Sequence, residues 1–318
     1  MKWRIPPIDA FQQPTTQFVL YFFCIFMKTI ILGGGVVGQC YAQALAAQGH
    51  TLVGFCDPQP SDALRALAGA HGAALHAAPG PWMQGAELAV SAVFGTVALD
   101  VARQALPHLP AGALYLDMTT ADPEDMARAE QLAQAGGHRF VDVAITGAVN
   151  LSGARTPLLC AGASAPEAAA LLAACGAPIR TVGAQAGDAA SLKLLRSIFT
   201  KGMEALAVEC LVTAERKGLR AALHDVLSDI DEGSLRETME SMVRTHIPHA
   251  ARRRNEVIEA QHQMRLAGVA PLVLPGVQQL FERTQQALAA QGYGGQSTAE
   301  ALAWLARQAA CESPGGSA

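Results

Sequence analysis

A glycine-rich segment near the start of the chain is the first candidate for chemistry, because it has the spacing of a phosphate-binding turn. Gly33, Gly35 and Gly38 satisfy the pattern G-x-G-x-x-G, between an apolar β-branched stretch at 28–32 and an Ala-rich predicted helix at 39–48. Gly33 permits the turn, Gly35 lets backbone approach a pyrophosphate, and Gly38 allows close packing of helix on strand. The segment therefore predicts a dinucleotide-binding loop.

A carboxylate at the end of the second predicted strand strengthens this prediction. Asp57 ends the stretch 51–57 and lies 19 residues after Gly38, where the ribose hydroxyls of NAD would be held. Val36 and Val37 complete the predicted cofactor-binding set. The alternative is an ordinary glycine-rich turn, with Asp57 only starting the turn made with the next residue, a proline.

The residues around Asp57 favour NAD over NADP. A carboxylate repels a 2′-phosphate, and residues 58–61 contain no arginine to receive one. Arg65, in the next predicted helix, could swing back toward this position. NAD is therefore the expected cofactor, and NADP is the alternative.

A polar stripe on a predicted helix in the second half of the chain is another candidate for chemistry. The stripe consists of Lys193, Arg196, Ser197 and Thr200. Residues three, four and seven positions apart share one helical face. A lysine can take the proton of an alcohol hydroxyl and return it to a forming alkoxide, and an arginine can grip a carboxylate. The alternatives are a solvated face and, for Lys201 at its edge, a structural pair with Glu204.

The first half of the chain alternates strands and helices in a way that places these groups at one sheet edge. After the first two strands, the apolar runs predict strands at 87–94, 113–117 and 140–145 and helices at 99–109 and 123–135. This order predicts an α/β N-terminal Rossmann domain with a doubly wound parallel sheet over residues 27–186.

The second half has helical periodicity throughout and predicts an all-α C-terminal domain over residues 187–318. Its first helix is unusually long, and none of its segments has a persuasive strand pattern. The predicted helices are 189–217, 219–228, 234–246, 250–267, 275–290 and 299–309.

The first 26 residues do not fit either domain. The apolar run 18–27 is ten residues long, whereas a membrane-spanning helix needs about 20. Residues 1–26 are interpreted as an extension that comes from a wrongly assigned start or is disordered, with Met27 as the natural initiator. A peripheral membrane-surface tether is the alternative.

Composition excludes several classes of protein. Apolar residues make up 51% and charged residues 16%, which indicates a globular chain rather than a disordered one. The net charge of −4 gives no field that would favour nucleic acid. Seven scattered cysteines with no CxxC pair indicate reduced thiols, and hence a cytoplasmic protein.

Four motifs, in this order, resemble those of the β-hydroxyacid dehydrogenases, which include the 3-hydroxyisobutyrate and 6-phosphogluconate enzymes. They are the glycine loop, the segment D-M-T-T-A-D-P at 117–123, the segment D-V-A-I-T-G-A at 142–148, and Lys193. The resemblance implies that Thr119 and Thr120 contact the nicotinamide end of the cofactor. The region from Gly187 onward resembles a branch with a variant phosphogluconate-dehydrogenase-like C-terminal domain.

The same resemblance implies roles for substrate groups. Thr146 and Gly147 stand where the family binds substrate, and Lys193 stands where the family has its catalytic acid and base. Arg196 and Ser197 replace two asparagines of the family. We hypothesise that Arg196 or Thr146 binds a substrate carboxylate. Such a helix also builds dimers in the family, so the resemblance implies a homodimer.

The expected activity is hydride transfer between NAD(P) and a small hydroxy acid that carries a carboxylate. An imine reductase-like enzyme and a non-catalytic NAD(P)-binding regulator are the alternatives. No metal site, nucleic-acid site or membrane span is expected. His246 and His249, with His262, could suggest a metal site, but no third ligand follows at tight spacing. The cationic run at 252–254 also opposes a divalent ion. That run is interpreted as a solvated helix face or an anion contact.

Overall fold

The computed structural model describes residues 26–309, which divide into two compact units between Leu194 and Leu195. The predicted fold class is confirmed: an α/β unit comes first and a helical unit follows. Most of the predicted extension, residues 1–25, lies outside the described residues, as does the tail from 310.

The first unit contains one eight-stranded sheet in the order β3-β2-β1-β4-β5-β6-β7-β8. The strands are β1 (Lys28–Leu32), β2 (Thr51–Cys56), β3 (Ala74–His76), β4 (Leu88–Ser91), β5 (Leu114–Asp117), β6 (Arg139–Ile145), β7 (Leu158–Ala161) and β8 (Ile179–Gly183). The helices are α1 (Val36–Ala47), α2 (Asp62–His71), α3 (Ala98–Ala105), α4 (Pro123–Ala135), α5 (Val149–Ser152), α6 (Ala165–Ala174) and the start of α7 (Asp188–Arg216).

Helices cover both faces of this sheet because the apolar residues of each strand point to two separate cores. Leu45 of α1, Leu64 of α2 and Leu172 of α6 pack on one face. Ala102 of α3 and Met126 of α4 pack on the other. Buried strands with helices on both sides are typical of a doubly wound fold.

One strand pairing differs from the predicted all-parallel sheet. β7 runs antiparallel to β6, and β8 then runs parallel to β7. The connection between β6 and β7 contains the four-residue helix α5 and a single 3₁₀ turn at Gly153–Arg155. A parallel crossover needs a longer helix, so the chain turns back instead.

The second unit holds the rest of α7 and four more helices: α8 (Arg220–Val226), α9 (Leu235–Leu266), α10 (Leu274–Gln291) and α11 (Thr298–Gln308). The predicted break between helices at 246 and 250 is wrong, because α9 continues through Pro248. Packing of α9 on α10 and α11 buries Ile247 and Ala250 on either side of the proline. This packing offsets the backbone hydrogen bond that proline cannot make.

The boundary between the units lies within α7, whereas the sequence places it before the helix. The first turn of α7 is tied to the sheet, because the backbone N–H groups of Gly187 and Ala190 donate to Asp142 of β6. Lys193 therefore belongs to the first unit.

Candidate functional site

The glycine loop turns sharply between β1 and α1. Gly33 has φ of +92°, and a Cβ there would lie 2.6 Å from the carbonyl oxygen of Ala92. A Cβ at Gly38 would overlap the carbonyl oxygen of Gly33. Both positions therefore require glycine, the first for its backbone conformation and the second for the close approach of α1.

Asp57 ties the end of β2 to this loop. Its Oδ2 accepts a hydrogen bond from the Gly34 backbone N–H at 2.8 Å, and its Oδ1 accepts one from Gln59 N–H at 2.8 Å. The carboxylate is half-buried and each oxygen keeps a lone pair for a further donor. Gln39, which lies just outside the glycine motif, donates from Nε2 to the Gly34 carbonyl at 2.7 Å. Its only sequence signal is a polar side chain in the first turn of α1.

The start of α1 fits the phosphate groups of a dinucleotide. Gly35 caps the helix without a side-chain hydrogen bond, and among the described residues no atom lies within 4 Å of a Cβ built there. Val36 is exposed and Val37 half-buried. The first N–H groups of a helix and its dipole favour an anion. The donor set of this loop, with the carboxylate of Asp57 for ribose hydroxyls, matches NAD or NADP.

The loop after β5 is held by a buried carboxylate. Asp117 Oδ1 accepts from the backbone N–H of Thr119 at 2.9 Å and from its hydroxyl at 2.6 Å. Thr119 Oγ1 in turn accepts from Ala121 N–H at 3.2 Å. Thr120 has φ of +54°, the left-handed region that a β-branched residue rarely adopts. Strain of this kind is typical of functional loops.

Lys193 reaches this strained loop from the start of α7. Its Nζ donates to Thr120 Oγ1 at 2.8 Å, and the lysine side chain is half-buried. The structure therefore brings together two predicted site residues from motifs that are 73 residues apart. The left-handed conformation of Thr120 is a feature that no sequence pattern indicated.

Burial raises the pKa of both carboxyl groups beneath this contact. For Asp117 the pKa rises to about 6, against the lowering effect of its hydrogen bonds from Thr119, and the charge of Asp142 adds to the rise. Burial also raises the pKa of Asp142, partly offset by backbone N–H groups at the start of α7. A buried carboxyl group favours its neutral form because a low-dielectric interior solvates charge poorly.

The predicted substrate residues are divided between the two units. Thr146 is half-buried after β6, and its hydroxyl donates to the Pro157 carbonyl at 2.9 Å. Gly147 is exposed beside it. Arg196 and Ser197 lie on the part of α7 that belongs to the second unit. Arg196 is exposed, and its carbonyl accepts from the Thr200 hydroxyl at 3.1 Å.

Other residues raised by the sequence have structural partners. Lys201 pairs with Glu204 at 2.7 Å, as the structural alternative predicted. Arg65 lies on α2, 4.0 Å from Asp62, with both side chains exposed. Among residues 26–309, no group of three or more His, Cys, Asp or Glu could hold a metal ion.

The histidine and arginine cluster of α9 also has local partners. His246 shares a hydrogen bond with Thr284 at 2.8 Å and stacks on Phe281. Burial lowers the pKa of His246, and the charges of Arg253 and Arg283 lower it further. In the run at 252–254, Arg252 pairs with Glu256, and Arg254 pairs with Glu282.

No helix within residues 26–309 combines the length and the apolar character that crossing a bilayer requires.

Two solved structures of proteins without established function are similar to this chain. A conserved hypothetical protein from Sinorhizobium meliloti is 28% identical with a TM-score of 0.56, and covers 91% of this chain and 99% of its own. A conserved protein described as structurally similar to 3-hydroxyacid dehydrogenases is 28% identical with a TM-score of 0.54, and covers 84% of this chain and 100% of its own.

A more distant structure shares the fold. An imine reductase from Myxococcus stipitatus, solved with NAD+, has a TM-score of 0.70 at 17% identity and covers 88% of this chain and 99% of its own. The overall fold is therefore an NAD(P)-binding oxidoreductase fold of the hydroxyacid dehydrogenase and imine reductase type.

Two family models match consecutive parts of the chain. Residues 28–183 match the NAD binding domain of 6-phosphogluconate dehydrogenase, and residues 214–284 match a domain of unknown function, DUF1932. The first match contains the glycine loop, Asp57 and the Thr119–Thr120 turn. The chain therefore has an NAD-binding domain like that of 6-phosphogluconate dehydrogenase at 28–183, followed by a DUF1932 domain at 214–284.

Proposed function

We propose that this protein transfers a hydride between NAD(P) and a small hydroxy acid, with Lys193 as the general acid and base. The observation that carries the proposal is the 2.8 Å hydrogen bond from Lys193 Nζ to Thr120 Oγ1. It fixes an amine beside the loop at the carboxyl end of β5, the sheet edge where doubly wound folds bind their ligands.

Proton transfer is the part of the reaction that this chain performs. In the oxidising direction, the neutral amine of Lys193 takes the hydroxyl proton, so an O–H bond breaks and an N–H bond forms. In the reducing direction, the ammonium returns that proton to the carbonyl oxygen. Thr120 keeps the nitrogen in place through its hydroxyl oxygen. Hydride transfer would be the chemistry that a nicotinamide cofactor supplies when it is bound by the glycine loop and Asp57.

Substrate recognition is assigned to groups that can hold a carboxylate. The hydroxyl of Thr146 must turn away from the Pro157 carbonyl to donate to a substrate, and the backbone at Gly147 lies exposed beside it. Arg196 is exposed and offers a bidentate donor, with Ser197 next to it on α7. These four roles follow from the motif resemblance and the donor chemistry.

NAD is proposed over NADP because of Asp57. Its Oδ2 accepts from Gly34 of the glycine loop and its Oδ1 from Gln59 after β2, so a carboxyl group is fixed at the end of β2, where such folds hold the ribose and a 2′-phosphate is disfavoured. Arg65 is paired with Asp62 on α2 and is the residue that could accommodate NADP instead.

Imine reduction is the second candidate, favoured by the TM-score of 0.70 with an imine reductase. Lys193 and the Thr146-Gly147 segment favour a hydroxy acid. Such a substrate needs an acid and base at its hydroxyl group and a hydrogen-bond donor for its carboxylate.

We also infer a homodimer built by the helical unit. Its helices leave large apolar side chains exposed, among them Ile198 and Met203 of α7 and Met242 of α9. Exposed apolar surface of this kind marks a protein interface more often than a free surface.

The test is a panel of 2-hydroxy acids, 3-hydroxy acids, sugar acids, aromatic hydroxy acids and cyclic imines, with NAD(H) and NADP(H) compared at equal concentration. Absorbance of the reduced nicotinamide reports turnover, and calorimetry reports cofactor binding. The proposal expects NAD reduction with at least one hydroxy acid. Imine reduction without hydroxy-acid oxidation would favour the second candidate, and cofactor binding with no turnover would favour a non-catalytic regulator.

A further inference from the structure

Two buried carboxylates lie side by side below the lysine contact. Asp117 ends β5 and Asp142 lies in β6, and the two are paired in register across parallel strands. Neighbouring strands are about 4.8 Å apart, and residues in register point to the same face. Both residues are completely buried. Buried acidic residues are costly, so their partners indicate what they are for.

Each carboxylate accepts hydrogen bonds from a different segment that positions Lys193. Asp117 Oδ1 receives both the N–H and the hydroxyl of Thr119, which precedes the lysine's acceptor Thr120. Asp142 Oδ2 receives the N–H groups of Gly187 and Ala190, each at 2.9 Å, and so fixes the first turn of the helix that carries the lysine.

One oxygen of each carboxylate has no hydrogen-bond partner among the described residues. These atoms are Asp117 Oδ2 and Asp142 Oδ1. Like charges on neighbouring strands disfavour joint ionisation, and the charge of Asp142 contributes to the raised pKa of Asp117. Neither carboxylate is used by the proton transfer proposed for Lys193.

We propose that Asp117 and Asp142 are positioning residues that hold Lys193 from both sides, Asp117 through the Thr119–Thr120 turn and Asp142 through the first turn of α7. The inference rests on the proposed role of Lys193, but its geometric part stands without any substrate. The side chains at 117 and 142 set the position of the amine, because they anchor the two segments that the contact between Lys193 and Thr120 joins.

The charge state of the pair is consistent with this role. Burial raises the pKa of both carboxyl groups, the direction expected for acidic side chains enclosed in the fold. A neutral or singly charged pair leaves the hydrogen bonds through Oδ1 of Asp117 and Oδ2 of Asp142 in place. Besides burial, Asp188 adds to the rise in the pKa of Asp142, while the charges of Asp117 and Asp142 further raise the pKa values of Tyr115 and Cys160, respectively.

The test measures the reactivity of the lysine amine directly in the full-length protein. Trace labelling with acetic anhydride, followed by peptide mass spectrometry, gives the labelling rate of Lys193 relative to Lys201 in the same sample. Lys201 is exposed and pairs with Glu204, so it is an internal standard that these substitutions do not reach. Circular dichroism confirms that each variant is folded.

Asp117→Ala and Asp142→Ala are expected to raise the relative labelling of Lys193 at least three-fold, because the amine leaves its hydroxyl partner. Asp117→Asn and Asp142→Asn keep the accepting oxygen and should stay within two-fold of the wild type. Wild-type labelling in folded alanine variants overturns the proposal. A rise in the asparagine variants equal to that in the alanine variants also overturns it, because charge rather than position would then matter.

Thr119→Val decides the question if an alanine variant does not fold. This isosteric change removes one of the two hydrogen bonds to Asp117 Oδ1 and should raise Lys193 labelling at least two-fold. A rate equal to that of the wild type contradicts the proposal.

Kinetics then separate this inference from the proposed function. With any substrate from the panel, Asp142→Ala should lower kcat at least ten-fold and leave KM for NAD within two-fold, and Asp142→Asn should restore kcat. If no substrate is found, the labelling result still decides whether the two carboxylates position the amine.

Discussion

The two units of this protein bury their apolar side chains to very different degrees. In the α/β unit, two apolar clusters on opposite faces of the sheet account for most of the buried residues. In the helical unit, the buried cluster within residues 195–309 is small and centres on Ile247, Ala301 and Trp304. Several large apolar side chains of that unit are exposed, including Ile198 at 74% and Leu272 at 84%.

This difference indicates that the first unit is complete as it stands and the second is not. A sheet covered on both faces satisfies its own apolar surface, whereas long helices such as α7 and α9 bury only part of theirs. The residues of the cofactor loop and Lys193 all belong to the complete unit. The helical unit is therefore the part of the molecule to which we assign the proposed dimer interface.

The largest expected effect comes from filling space in the complete unit. Gly38→Ala places a methyl group on the Gly33 carbonyl oxygen and should lower the free energy of unfolding by about 3 kcal/mol. Gly202→Ala is the matched change in α7, where no described atom lies within 4 Å of the added Cβ. It should raise stability by about 0.5–1 kcal/mol, because alanine favours a helix over glycine.

Urea unfolding of both variants measures this contrast. Equal destabilisation by the two substitutions would contradict the distinction between a closely packed first unit and an open second one.

The next effect is a pH dependence that originates in the first unit. Burial raises the pKa of Asp117 to about 6 from 3.8, so the folded state binds its proton more tightly than the unfolded state. This contribution to stability is fully present below about pH 4 and is lost as pH rises through 6. Over that range it amounts to about 3 kcal/mol at most.

Asp117→Asn removes the titration and keeps the acceptor for Thr119. Relative to the wild type, the variant should gain stability as pH rises from 4 to 8, which unfolding midpoints at a series of pH values would show. A wild-type-minus-variant difference that does not change with pH would contradict a raised pKa.

The smallest expected effect concerns the incomplete unit. The wild type should have twice the 33.1 kDa mass of one chain by light scattering. Ile198→Glu places a charge on the exposed face of α7 and should weaken the dimer about ten-fold or more. Leu151→Glu changes an equally exposed apolar residue of the first unit and should leave the mass unchanged. A monomeric wild type at micromolar concentration would contradict the homodimer.

The same contrast explains what the sequence could predict. The strands and helices of the first unit follow from local apolar periodicity, and helix α4 has the predicted bounds 123–135. β7 and β8 were not predicted, because four- and five-residue strands with one antiparallel pairing have weak patterns. The continuity of α9 through Pro248 was missed because it depends on packing against α10.

The candidate site was predictable in its residue types but not in its geometry. Gly33, Gly38 and Asp57 have a recognisable spacing, because their roles depend on a local turn and the next strand. The contact between Lys193 and Thr120 depends on a left-handed residue and on two buried carboxylates. Such features arise from tertiary structure, so no local pattern indicates them.

Proton transfer by the amine of Lys193 is tested by one comparison of rates. Lys193→Met and Lys201→Met remove an amine from the same helix, the second from an exposed pair with Glu204. With the best hydroxy acid and saturating NAD, we expect Lys193→Met to lower kcat about 1,000-fold. Lys201→Met should stay within about two-fold of the wild type. If Lys193→Met retains more than a tenth of the wild-type kcat, Lys193 is not the general acid and base.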